Sequence, residues 1–222
     1  MSTLQRINPE NWSTRSPAFI VCATIVGLAG IALVLVLVLG GRDGITPAPA
    51  ALCEQPASQE TDIYSTPQAD WTNTGIIQVP ASETAGPSIQ TETTNACYAR
   101  SPEGAVFAAM NLVAMDLDGQ SRTLYEERTV EGPARDLALQ QVQDNVAPSP
   151  AIFRGFSLID YSTDAATIEL VIEDSPYLGA MTVEVAWEDG DWKLDPPTSL
   201  QPPIKPLNSL QGYHTLSPTQ ER

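Results

Sequence analysis

The sequence predicts an α+β protein with an N-terminal transmembrane helix, a long linker, and a domain in which helices are followed by a curved antiparallel sheet. Three observations predict it: an uninterrupted apolar run, a helical repeat of apolar residues, and a later stretch that alternates apolar and polar residues. The expected divisions are a cytoplasmic tail at 1–17, a span at 18–39, a linker and strap at 40–96, the α+β domain at 97–196, and a proline-rich tail at 197–222.

The first element is the predicted span at residues 18–39, which contains no charged, amide or proline side chain. A helix of about 20 apolar residues is long enough to cross the hydrocarbon core of a bilayer. Arg6 and Arg15 precede the run, and Arg42 follows it, which favours a cytoplasmic N-terminus and an extracytoplasmic C-terminal domain in a single-pass membrane protein. The alternative is a cleaved signal peptide, but its apolar region is usually only about 7–15 residues long.

The second element is the segment at residues 40–96, which is rich in Pro, Ala, Ser, Thr, Gln and Glu and shows no helical period. This composition is typical of an extended linker. Residues 70–87 are more apolar than their surroundings, and we expect Trp71 and Val79 to hold them as a strap against the folded domain.

The three cysteines divide by predicted compartment. Cys22 lies in the predicted span, whereas Cys53 and Cys97 both follow it. Outside the cytoplasm, two thiols of one domain usually pair, so we predict a Cys53–Cys97 disulfide. Two independent buried or intermolecular thiols are the alternative.

Two helices are predicted to open the folded domain. Ser101, Pro102 and Glu103 supply an N-cap hydroxyl, a proline in the first turn and a carboxylate near the positive end of a helix. Apolar residues then recur at three- and four-residue spacing through 106–117. A second, weaker helical pattern covers 132–146, and prolines end it.

Strands are predicted from Ile152 to Leu194. Residues 166–174 and 180–194 alternate between the two faces of a strand, with Ile168, Leu170 and Ile172 on one face of the first stretch. Asp189 and Gly190 separate the two halves of the second stretch and favour a tight hairpin turn, because glycine readily adopts a positive φ.

Composition limits the possible functions. The chain has 27 acidic and 11 basic residues and a net charge of −16. A domain this negative is repelled by phosphate backbones, so nucleic acid is not an expected partner. The single histidine, His214, lies in a polar tail without metal-ligand spacing, so neither a metal site nor a catalytic triad is expected.

One group of side chains is a candidate for acid–base chemistry or ligand binding at the mouth of the sheet: Asp160, Tyr161, Glu169, Glu173 and Asp174. These residues alternate with apolar ones, as ordinary solvent-facing strand positions do. We therefore assign no catalytic, cofactor-binding or metal-binding residue, and we interpret Trp187 and Trp192 as core packing.

Two sets of motifs carry a resemblance to known proteins. The stretch V-x-V-x-W-x-D-G-D-W-K-L at 183–194 resembles the last strands of the NTF2-like, cystatin-like cone. A second set is similar to an uncharacterised family of single-span actinobacterial proteins: Trp71, Val79-Pro80, Ser82, Gly86-Pro87, Cys97 to Pro102, Gly104-Ala105, Ala108-Ala109, Ser209-Leu210 and Gly212-Tyr213.

The resemblance implies a role without defining an activity. Proteins of this topology resemble the VirB8-like components of conjugation and type IV secretion machines, whose outer domains make protein contacts. The expectation is therefore a non-catalytic, membrane-anchored envelope protein that acts as a scaffold through other envelope proteins or through self-association. The alternative is an extracytoplasmic NTF2-like domain that binds a small molecule or is weakly catalytic.

Overall fold

The computed structural model describes residues 52–91, 94–143, 146–197 and 204–218. These residues form an α+β unit in which three helices accompany a curved, mainly antiparallel sheet. The core of this unit lies between the longest helix and one face of the sheet.

The predicted transmembrane helix at residues 18–39 lies outside the described residues, as does the predicted tail at 1–17. Within the part of the chain that the structure describes, no helix is long and apolar enough to cross a membrane. The longest helix there, Pro102–Leu117, has 16 residues, fewer than the roughly 20 that a span needs. The fold class predicted with a leading transmembrane helix is therefore wrong for the described structure.

The described part of the predicted linker contains four strands: β1 (Asp70–Thr74), β2 (Ile77–Ala81), β3 (Ile89–Gln90) and β4 (Asn95–Ala96). β1 pairs with β2, and β3 pairs with β4, both antiparallel. Ile77 and Val79 are buried in the main core. The linker prediction missed these strands because the abundant Thr, Gln and Pro residues obscure a short apolar alternation.

Three helices follow: α1 (Pro102–Leu117), α2 (Ser121–Glu127) and α3 (Pro133–Gln141). α1 begins as predicted, because the Ser101 hydroxyl accepts a hydrogen bond of 3.1 Å from the Gly104 amide. It is buried almost all round because it contacts both β2 and the main sheet. α2 had no clear apolar period in the sequence, and α3 ends before the predicted limit at residue 146.

The main sheet has six strands: β5 (Ile152–Tyr161), β6 (Ala165–Asp174), β7 (Tyr177–Glu188), β8 (Asp191–Leu194), β9 (Lys205–Pro206) and β10 (His214–Thr215). The order is β10-β5-β6-β7-β8, and β9 pairs with another part of β7. Two register shifts in β5 bend its edge. The described part of the predicted C-terminal tail therefore contributes two strands to the sheet.

The two faces of the sheet differ in what covers them. The inner face carries Phe156, Ile168 and Leu170, which are fully buried in the core with α1. The outer face carries the alternate residues, including Ser157 and Glu169, which lie opposite each other on β5 and β6. The outer face of β5 and β6 therefore presents polar side chains.

Candidate functional site

The carboxylates singled out in the sequence do not converge on one point. Glu169 lies on the outer face, where its Oε2 accepts a 2.6 Å hydrogen bond from the Tyr213 hydroxyl. The Lys205 ammonium lies 3.7 Å from its other oxygen. Glu173 instead forms an ion pair with Arg154. Both carboxylates are thus engaged by neighbours of opposite charge or by a hydrogen-bond donor.

The other three candidate residues are also separated. Asp160 and Asp174 are exposed at opposite ends of the β5–β6 pair. Tyr161 packs on the inner side, with its ring 6.1 Å from that of Trp192. Burial raises the pKa of the Tyr161 phenol. These positions do not form a common acid–base site.

The structure contains the Cys53–Cys97 disulfide, with the two Cα atoms 4.8 Å apart. It joins the short 3-10 turn Leu52–Glu54 to the segment that enters α1. Cys97 has a φ of +63°, a conformation uncommon for residues other than glycine. Its backbone is held there by contacts beyond the disulfide.

Those contacts come from Asp191, which sequence reasoning missed. Its carboxylate accepts hydrogen bonds from the amides of Cys97 at 2.8 Å, Tyr98 at 3.0 Å and Trp192 at 2.9 Å. The same carboxylate forms an ion pair of 2.8 Å with Arg128, and these two side chains are only 11% and 9% exposed. We call these five residues the Asp191 cluster.

The contacts of the Asp191 cluster hold the backbone of Cys97 and Tyr98 in place. Burial raises the pKa of the Tyr98 phenol well above its usual range; Arg128 opposes this shift and Asp191 adds to it. A buried phenol of this kind stays protonated at neutral pH and is a poor proton acceptor. No local motif pointed to the cluster, because Arg128 and Cys97 are far from Asp191 in the sequence.

Aromatic side chains pack beside the cluster. Trp192 is fully buried and meets Trp187 edge-on, with ring centroids 5.3 Å apart. The guanidinium of Arg100 lies 5.1 Å above the Trp187 ring, and its Nε donates to the Thr163 carbonyl at 2.8 Å. The two tryptophans are packing residues here, in agreement with the sequence interpretation.

One candidate site is an open cavity of about 500 Å³ on the outer face of the sheet. Its floor includes Ser157 and Glu169, and its roof is residues 207–213, which we call the C-terminal arch. Burial and the hydrogen bond to Glu169 raise the pKa of the Tyr213 phenol to about 12, so this hydroxyl remains a donor at neutral pH.

A second, smaller cavity of about 180 Å³ lies near β1 and the β3–β4 turn. Asn111 of α1 contributes to its wall and is fixed by Asn95, whose amide donates to the Asn111 side-chain oxygen at 2.7 Å. Asn111 also donates to the carbonyls of Pro80 at 3.3 Å and Phe107 at 2.9 Å. These bonds use the amide to join the first hairpin to α1.

Metal and histidine chemistry receive no structural support in the described ranges. Those residues contain no group of three or more His, Cys, Asp or Glu side chains that is suited to hold a metal ion. His214 stacks on Phe156, with ring centroids 5.0 Å apart, and its backbone belongs to β10. It serves as packing at the edge of the sheet.

Comparison with known proteins gives one family. No curated protein and no solved structure matches the chain, so the resemblance to NTF2-like cones and VirB8-like proteins stays a prediction. A family model matches residues 41–215, which include most of the predicted linker as well as all the described strands and helices. The chain therefore belongs to the family described as Domain of unknown function (DUF8175).

Proposed function

We propose that this chain is a non-catalytic, extracytoplasmic scaffold protein whose described domain works through contacts with other proteins of the cell envelope or with copies of itself. A place in a conjugation or secretion-type machine is the specific form of this proposal, and it rests on the resemblance in the sequence motifs. The Cys53–Cys97 disulfide supports the compartment, because such bonds persist mainly outside the reducing cytoplasm.

The proposal rests mainly on the outer edge of β1, which pairs with no other strand among the described residues. The turn between β1 and β2 has two residues, so Thr74 and Ile77 form its hydrogen-bonded closing pair. Trp71 and Asn73 then direct their main-chain groups away from β2. Pro80 lies opposite Trp71, and its carbonyl accepts a hydrogen bond from the Asn111 side chain of α1 instead of bonding to β1. This agrees with the alternation.

An unpaired edge can recruit another strand. In the described part of the chain, the outward main-chain groups of Trp71 and Asn73 have no hydrogen-bond partner. Asp70, Thr72 and Asn73 are exposed. Such an edge accepts an extended peptide by strand addition, with main-chain hydrogen bonds supplying affinity. We therefore assign the protein contact to β1.

A matched pair of variants tests this assignment. Asn73→Pro removes an outward amide donor without removing a bond to β2, whereas Asn73→Ala changes the side chain and keeps the donor. The full chain carrying each change is recovered from its native envelope after crosslinking, and its complexes are compared by size. The proposal expects loss of the complex in Asn73→Pro alone; a parent chain that is monomeric and without partner would refute it.

The cavity below the C-terminal arch favours a second candidate function, the binding of a small polar molecule. Its volume of about 500 Å³ lies within the roughly 300–1,000 Å³ of small-molecule sites. The residues that line this cavity come from β5, β6 and the C-terminal segment, and none of them belongs to β1. It is compatible with a scaffold role and requires no catalytic group.

A further inference from the structure

We infer that the cavity below the C-terminal arch is a binding site for a neutral carbohydrate, either a free sugar or a short stretch of a polysaccharide. The inference rests on the second candidate function and is independent of the contact assigned to β1. It follows from how the arch is held, from the chemistry of the cavity wall and from the charge of the site.

Two short strands hold the arch across the outer face. β9 pairs with β7 at Gly179 and Ala180, and β10 pairs with β5 at Gly155 and Phe156. The two anchors are four strand spacings apart, or about 19 Å at about 4.8 Å per spacing. The arch is thus fixed at both ends by main-chain pairing with the sheet.

Gly155 lets the second anchor approach the sheet closely. A Cβ atom placed on this residue would lie 2.9 Å from the His214 carbonyl oxygen and 3.3 Å from the Tyr213 Cβ. The close approach brings the Tyr213 hydroxyl to Glu169. Glu169 on the floor of the cavity is therefore linked to Tyr213 by a hydrogen bond and to Lys205 of β9 by an ion pair.

The wall supplies mainly uncharged hydrogen-bonding groups. Besides Glu169, Lys205 and Tyr213, the polar residues that line the cavity are Ser157, Asn208, Ser209 and Gln211, which carry hydroxyl or amide side chains. No hydrogen bond from the side chains of Ser157, Asn208 or Gln211 to another described residue is found. Hydroxyls and amides both donate and accept, which is the pattern needed to bind a ring bearing several hydroxyl groups.

The charges present disfavour an ionic ligand. Glu169 repels an anion, and the net charge of −16 adds to that repulsion. A cation would compete with Lys205, whose ammonium already lies 3.7 Å from the Glu169 carboxylate. With Tyr213 also donating to this carboxylate, the negative charge is engaged from two sides, and a neutral polyhydroxyl ligand fits the remaining groups best.

Titration of the full chain tests the inference. Maltose, cellobiose, trehalose and N-acetylglucosamine are the probes, with glucose 6-phosphate and choline as charged comparators, and binding is followed by saturation-transfer NMR and calorimetry. We expect saturable binding of at least one neutral sugar and weaker binding of both comparators. Absence of binding by all four neutral sugars, or tighter binding of a charged comparator, would overturn the inference.

Two variants and one control locate the binding. Ser157→Leu fills the floor of the cavity and Gln211→Ala removes a donor from its roof, so each should weaken the sugar about five- to tenfold or more. Thr167→Leu, on the same face of β6 but outside the cavity, should leave the affinity unchanged. Equal affinity in the parent chain, Ser157→Leu and Gln211→Ala would place the sugar elsewhere and refute the site.

Longer oligosaccharides distinguish a free sugar from a stretch of polysaccharide as the natural ligand. Maltohexaose and cellohexaose are compared with maltose and cellobiose on the parent chain. Affinity that rises with chain length assigns a polysaccharide, and equal affinity assigns a free sugar. The β1 variants retain sugar binding in either case, so failure of the scaffold proposal and failure of the carbohydrate proposal give different results.

Discussion

At the scale of single residues, the Asp191 carboxylate binds three backbone amides and one buried guanidinium. One carboxylate fixes the amides of Cys97 and Tyr98 and neutralises Arg128. Asp191→Asn leaves that guanidinium buried beside a neutral amide. We expect a loss of about 3–5 kcal/mol in the free energy of unfolding, measured by urea denaturation.

Asp189→Asn is the matched control for this prediction. Asp189 lies in the same hairpin, but its side chain is 78% exposed and its partner is Lys193. Asparagine also tolerates the positive φ of this position. The expected loss is about 0–1 kcal/mol, and equal losses in the two variants would show that the Asp191 cluster contributes no special stability.

Tyr213 gives a second residue-level prediction, on alkaline stability. Burial and the bond to Glu169 raise its pKa to about 12, whereas an unfolded tyrosine titrates near about 10. The folded state therefore keeps a proton that the unfolded state loses between these values. The contribution to stability is complete below about pH 10 and falls as the pH rises towards about 12.

The Tyr213→Phe variant isolates this contribution. The free energy of unfolding is measured from pH 9 to pH 12 for the parent chain and the variant. We expect the parent curve to fall more steeply, because only the parent chain has the Tyr213 proton to lose. Tyr98 and Tyr161, whose pKa values are also raised, are present in both proteins and affect both curves alike. Parallel curves would contradict the prediction.

At the scale of elements, the disulfide ties the first described residues to the entrance of α1. Replacement of both Cys53 and Cys97 by serine opens a loop with a sequence separation of 44. Loop entropy predicts a loss of about 3–4 kcal/mol in the free energy of unfolding. The measurement is urea denaturation of the parent chain and the double variant.

A reductant supplies the control for the disulfide prediction. Dithiothreitol should lower the stability of the parent chain towards that of the double variant and leave the variant itself unchanged. A parent chain equally stable with and without the reductant would show that the disulfide adds nothing beyond the Asp191 cluster, which holds Cys97 independently.

The elements that sequence reasoning located are those with local signals. Ser101 and Pro102 define the start of α1 within one turn, and Asp189 and Gly190 define the hairpin through their positive φ. The misses have long-range causes. Main-chain pairing holds β9 and β10, and it leaves little trace in the choice of side chains.

The candidate sites show the same limit. The carboxylates of β5 and β6 were visible as alternating residues, but alternation does not reveal which partner neutralises each one. Arg154, Lys205 and Tyr213 reach Glu173 and Glu169 from other elements. The cavity itself depends on a tail that its proline content made look irregular.

At the scale of the whole molecule, the net charge of −16 separates the two proposed functions. A protein that pairs with β1 must approach a strongly negative chain. A basic partner is therefore favoured over a second copy of this chain, and electrostatic steering should accelerate its association. A neutral sugar in the cavity below the C-terminal arch experiences no such steering. Salt should therefore affect the first interaction and leave the second unchanged.

The last prediction is a salt series on the full chain. Between about 20 mM and 300 mM NaCl, we expect the association rate of the envelope partner to fall about tenfold, because the Debye length shortens from about 20 Å to below 8 Å. The affinity for the neutral sugar should change less than about twofold, and Asn73→Pro should lose the partner at every salt concentration. Surface plasmon resonance measures the association rate, calorimetry measures the sugar affinity, and an association rate insensitive to salt would contradict a basic partner steered by the acidic chain.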